Sequence, residues 1–110
     1  IGAGGFQAAW LEHRPIDENV RDAHALQLET AAELGVPGLV FLALLFAGVI
    51  AAIRRLGVAD PALAAGPTAA LAVWAAHSAI DWDWEMPAVT LVAALLAGVL
   101  LARGYHRAPA

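Results

Sequence analysis

Few side chains in this sequence are able to do chemistry, and their spacing sorts them into small groups. His24 lies in the stretch Arg21–Gly38, RDAHALQLETAAELGVPG, just ahead of the first long apolar run. An imidazole with an ordinary pKa of about 6.5 can take a proton near neutral pH, so His24 is a candidate general base; the plainer alternative is a solvated surface histidine. Arg14 and Arg21 are the only arginines before that run. His77 and Asp81 stand four residues apart, a spacing that lets two side chains meet on one helix face. They form a second candidate pair, or a hydrogen bond that merely holds the end of a helix. Glu29 and Glu33 have the same spacing and read as a carboxylate pair or, more simply, a solvated stripe. Asp81–Glu85, DWDWE, places tryptophans among acids, as in an interfacial turn. His13 and His106 have no such company. Cysteine is absent, which excludes disulfides and thiolate metal sites. No HExxH, GxSxG or P-loop pattern occurs, so metalloprotease, serine hydrolase and nucleotide hydrolase chemistry have no support. No metal site or cofactor is expected.

The elements that must position these groups follow from caps and breakers. Ala23–Leu34 reads as a short helix with Asp22 as its N-cap. His24 then falls in its first turn, sharing a face with Leu28 and Ala31. Gly35 suits a left-handed helix end, and Pro37 suits the first turn of the next helix. Upstream, IGAGGF is glycine-rich and reads as a flexible lead-in, since a lone glycine cluster is weak evidence for a phosphate loop. Ala8–Glu12 fits a helical turn with Trp10 at an interface. Pro15 can open another turn, with Asp17 and Glu18 near its positive end.

Composition supplies the surroundings. Of 110 residues, 61% are hydrophobic and 15% charged, against roughly half and about a quarter in soluble domains; mean hydropathy is +0.68. The apolar residues fall in three blocks, Val36–Ile53, Ala62–Ile80 and Pro87–Ala102. Each is near the length that crosses a hydrocarbon core of about 30 Å. The expected fold is all-α: polytopic membrane helices with three spans, preceded by an extracytoplasmic segment with short helices. Residues 1–35 form that segment; residues 36–110 hold the spans and a short cytoplasmic tail. Arg54 and Arg55 follow the first span, and Arg103 and Arg107 follow the third, so the positive-inside rule puts those ends in the cytoplasm. Residues 1–35 and the 81–85 turn then face outwards. Arg14 and Arg21 lie outside against the bias of the rule. The net charge is −4 and lysine is absent, so a nucleic-acid partner is not expected; the lipid bilayer is. Residues 1–34 lack a basic region followed by an apolar core, so they do not read as a signal peptide; a chain that starts at Ile1 with three spans reads as the C-terminal part of a longer polytopic protein.

Three runs, GAGGFQAAWLEHRP, RDAHALQLETAAELGVPGLVFLALL and HSAIDWDWEMPAVTL, resemble the C-terminal part of the O-antigen ligase and O-antigen polymerase family. The matching positions are Gly2, Gly4, Gly5 and Phe6; Arg14 and Arg21; His24, Leu28 and Glu33; Gly35 and Gly38. The family often has asparagine or serine after the histidine, where this chain has Ala25. The resemblance implies a multi-pass protein of the bacterial cytoplasmic (inner) membrane. It implies transfer of a glycan from a polyprenyl-pyrophosphate donor to an acceptor hydroxyl on a lipid, glycan or protein, outside the membrane. In that reading His24 takes the proton of the attacking hydroxyl, and Arg14 and Arg21 hold the pyrophosphate with their planar donors. Two other classes remain: a transporter or flippase segment with a His77/Asp81 site, and a structural membrane segment. A transporter is expected to carry ionisable groups near mid-membrane on more than one span, whereas these span interiors hold almost none.

Overall fold

The structure, a computed structural model, describes residues 2, 5–17 and 24–106. Among them there are only helices and turns. In chain order these are α1 (Gly5–His13), α2 (Leu26–Ala59), α3 (Pro61–Ser78), a 3₁₀ turn (Asp83–Glu85) and α4 (Pro87–His106). The glycine-rich start thus enters a helix at Gly5, and Phe6 and Trp10 stack along α1 with ring centroids 6.5 Å apart. The turn expected at Pro15 is a bend rather than a helix.

The breakers in the sequence explain most of the boundaries. Gly35 has φ 64° and ψ −154° inside α2, a region that a residue with a Cβ essentially avoids. Pro37 lacks an N–H and its ring would clash with the Glu33 carbonyl of a straight helix. Together they turn Leu26–Leu34 sharply away from the rest of α2. A Cβ placed on Gly38 would lie 3.1 Å from Thr30 Cγ2 and would collide with Leu34 Cβ. Eight residues of straight helix would separate those positions by about 12 Å, so the first segment folds over the top of the second. At the other end, Pro61 forces Asp60 out of helical geometry, and the two joined helices share this one residue. The Asp60 carboxylate then caps α3 by accepting from the Leu63 N–H at 3.1 Å, with Pro61 in the first turn.

Several expected boundaries shift. The helix ahead of the first apolar block starts at Leu26, not Ala23. Its N-cap is Ala25, extended at φ −156° and ψ 126°, with no side-chain cap; Asp22 lies outside the described residues. Arg54 and Arg55 sit within α2, because arginine, leucine and alanine all favour helix and nothing stops the run before Asp60–Pro61. α3 ends two residues early, at Ser78, in a turn at 79–80. α4 continues through Arg103 to His106, so His106 belongs to a helix rather than a tail.

α2, α3 and α4 pack pairwise in an up-down-up bundle. Its small core takes Leu56, Ala64 and Leu100, one from each helix, flanked by Ile53, Leu63 and Leu71. Most large apolar side chains point outwards instead, Phe41, Leu44, Val73, Leu91 and Leu95 among them. α2 and α4 are long and apolar enough to cross a membrane, and only 17% of the apolar window of each is buried. That separates them from core helices of a water-soluble domain, which would be mostly covered. α3 is equally apolar on all sides but is diluted by proline, threonine, histidine and serine, and is not among the helices that meet the same measure.

Candidate functional site

Because α2, α3 and α4 alternate in direction, the start of α2, the end of α3 and the start of α4 share one end of the bundle. That end carries the histidines and carboxylates singled out in the sequence. The opposite end carries Arg54, Arg55, Arg103 and His106.

His24 is exposed in a bend two residues before α2. It does not lie in the first helical turn and does not share a helix face with Leu28 and Ala31, because the backbone is still extended at Ala25. Among the described residues His24 makes no hydrogen bond or ion pair, so its ring is open to an incoming group. Arg14 follows α1 directly, and its guanidinium meets the Asp17 carboxylate at 2.8 Å. Asp17 is almost fully exposed, at 95%. The Arg14 side chain is itself mostly covered, at 29% exposure, so the pair opens to solvent on its carboxylate side. Arg21, the third member of the expected set, lies outside the described residues.

The second candidate pair is rearranged. His77 Nδ1 lies 3.3 Å from Asp83 Oδ2, so its carboxylate partner is Asp83 rather than Asp81. The four-residue rule needs a continuing helix, and α3 stops at Ser78. The Asp81 N–H still donates to the His77 carbonyl at 2.8 Å, but the Asp81 side chain turns to accept from the Trp82 N–H at 2.8 Å. The chain then makes its 3₁₀ turn, which carries Asp83 back to His77. Thr90 Oγ1 donates to the Trp84 carbonyl and ties this turn to α4.

Below the His77–Asp83 pair, a groove of about 490 Å³ runs between α3 and α4, walled by Val73, Trp74, Val92 and Leu96. A second cavity of about 510 Å³ lies among α2, α3 and α4, with Phe46, Leu71 and Leu101 on its walls and Thr68, Trp74 and Thr90 as its polar lining. Trp74 borders both. Its indole nitrogen and Thr68 Oγ1 are buried without a hydrogen-bond partner among the described residues.

Glu29 also departs from expectation. It is buried, at 8% exposure, as is Ala25, at 6%, while Glu33 is half-buried. The two do not form a solvated stripe, because the bend at Gly35 folds their helix inwards. Among the described residues no three His, Asp or Glu side chains come close enough to hold a metal ion. The groups sequence reasoning missed are Asp83 and the buried face of Glu29. Asp83 stands six residues from His77, a separation that matches no regular element.

Compared with known protein families, with curated proteins and with solved structures, the chain matches none.

Proposed function

We propose that this chain is part of a bacterial inner-membrane glycosyltransferase of the O-antigen ligase type, moving a glycan from a polyprenyl-pyrophosphate donor to an acceptor hydroxyl. In this reading all three bundle helices cross the membrane. α3, with 18 residues, is about 27 Å long, and it is joined to α2 and α4 too closely to lie elsewhere. The arginine-rich end is cytoplasmic by the positive-inside rule, and the segment containing α1 and His24 lies outside.

The observation that carries the reading is the segregation of chemistry to one end. His24, His77 and the acidic turn belong to the end opposite the arginine cluster, α1 with Arg14 after it packs on α2, and the span interiors are nearly free of charge. This suits work at the outer membrane–water boundary, where a lipid-linked pyrophosphate presents itself, and disfavours a conduction path through the bundle. His24 accepts the proton of the attacking hydroxyl, and Arg14 exchanges its exposed Asp17 partner for pyrophosphate oxygens. Arg21 assists, on the strength of the resemblance alone. The charge that develops on the departing pyrophosphate is what the arginines offset.

The test is glycan transfer by the full-length protein in membranes, with a polyprenyl-pyrophosphate glycan as donor. Arg14→Lys and Arg21→Lys are expected to lose transfer, since a point charge replaces a planar fork of donors. Full transfer by both variants at equal membrane abundance would remove the arginines from the mechanism.

A further inference from the structure

The groove between α3 and α4 has a charge pattern that glycosyl transfer does not use. On α3 it takes Ala70, Val73, Trp74 and His77, which the helical repeat places on one face. On α4 it takes Val89, Val92 and Leu96, again one face. Each stripe rises over seven residues, so the groove is about 10 Å long. Its volume of about 490 Å³ lies among those of small-ligand pockets, about 300–1,000 Å³. Val73 and Val92, one on each wall, are exposed, so the groove is open along its side.

The only ionisable groups in its lining, among the described residues, are His77 and Asp83. They meet at the end of the groove nearest the turn, His77 Nδ1 against Asp83 Oδ2. Asp83 Oδ1 makes no hydrogen bond or ion pair among the described residues. No arginine or lysine stands between Arg55 and Arg103. α3, the turn and α4 as far as Ala102 therefore bring no permanent cation to this carboxylate. Asp81 and Glu85 flank it in the turn and carry charge of the same sign. An opposite charge gains more beside apolar walls than in bulk water, because the surroundings screen it less. An anionic head would meet Asp83 at the same place and be repelled.

We propose that this groove binds a small lipophilic cation, with its apolar body between Val73 and Val92 and its charged head against Asp83 Oδ1. The occupant follows from charge complementarity: an apolar slot that ends in a carboxylate with one open oxygen and no fixed cation beside it among the described residues. The claim involves neither His24 nor the arginines and survives the failure of glycosyl transfer.

The full-length protein, purified in a non-ionic detergent, is dialysed to equilibrium against three probes of equal chain length: decylammonium, decanol and decanoate. Uptake by protein-free micelles is subtracted. Decylammonium is expected to bind most tightly and decanoate least, with a preference that falls as salt rises. Asp83→Asn is expected to weaken decylammonium by about tenfold and leave decanol unchanged. His77→Asn removes the same side-chain contact but keeps the carboxylate, and is expected to retain decylammonium binding. Val92→Trp fills the groove and is expected to weaken decylammonium and decanol together; Val73→Trp serves the same purpose should Val92→Trp lose helicity by circular dichroism. Equal affinity for decylammonium and decanol overturns the proposal. Equal losses in Asp83→Asn and His77→Asn overturn it too, because the pair then only shapes the turn. Unchanged binding in the filled groove places the cation elsewhere and likewise overturns it.

Discussion

Replacing Gly35 by alanine isolates the backbone's part in building the outer end. A Cβ at this position has room, since the nearest atom it would meet is Pro37 Cδ at 3.9 Å. The penalty is conformational: φ 64° with ψ −154° lies in a region costing of order 1–3 kcal/mol for a residue with a side chain. α2 cannot escape by straightening, because Pro37 would meet the Glu33 carbonyl and lacks the N–H to bond it. Gly35→Ala is therefore expected to lower the unfolding free energy of the detergent-solubilised protein by about 1–3 kcal/mol. Adding Pro37→Ala opens the escape. The double variant is expected to regain stability, gain helical signal by circular dichroism and lengthen the distance between spin labels at positions 28 and 50. Restored stability with lost glycan transfer would tie the bend to the position of His24. Unchanged stability and unchanged label distance in Gly35→Ala would refute the view that this glycine's backbone holds the bend.

Further predictions concern the rest of the bundle. Gly104→Ala is expected to destabilise by about 1–3 kcal/mol in the same unfolding assay, because the added carbon meets backbone atoms of Ala52 that cannot move aside; an unaltered midpoint would contradict the packing. Asp83→Asn breaks an exposed His77 contact and is expected to change stability by no more than about 1 kcal/mol; a larger loss would show a pairing stronger than the geometry allows. Cysteines replacing Glu18 and Asp83 are expected to react with an impermeant reagent in intact cells, while one replacing Gly57 is not. Labelling at position 57 alone would reverse the orientation and remove the proposed site.

Punctuation residues made much of the fold legible. Pro87 opens the last helix as the third apolar block does, Gly35 with Pro37 marks a kink inside α2 rather than a helix limit, and each apolar block falls largely within one bundle helix. Less legible was how far each helix ran. Arg54 and Arg55 look like the end of an apolar block, but charge does not stop a helix, and only Asp60–Pro61 does. Hydropathy, likewise, describes what a helix is made of and not where its backbone begins, so the extended Ala25 and the release of His24 from the helix were invisible. The His77–Asp83 contact depends on a turn that closes six residues, a tertiary event with no periodic signature. The inward face of Glu29 depends on the direction of the bend at Gly35, which a glycine permits but does not specify.

The central claim rests on His24 as the base, and one substitution tests it most directly. General-base help is typically worth about 10²–10⁴-fold in rate. His24 is exposed and bonded to no described residue, so His24→Ala in the full-length protein is expected to insert and accumulate normally. Its rate of glycan transfer from the polyprenyl-pyrophosphate donor is expected to fall by about a hundredfold or more. Transfer comparable to the unaltered protein, at equal membrane abundance, would contradict the account and leave His24 a surface residue.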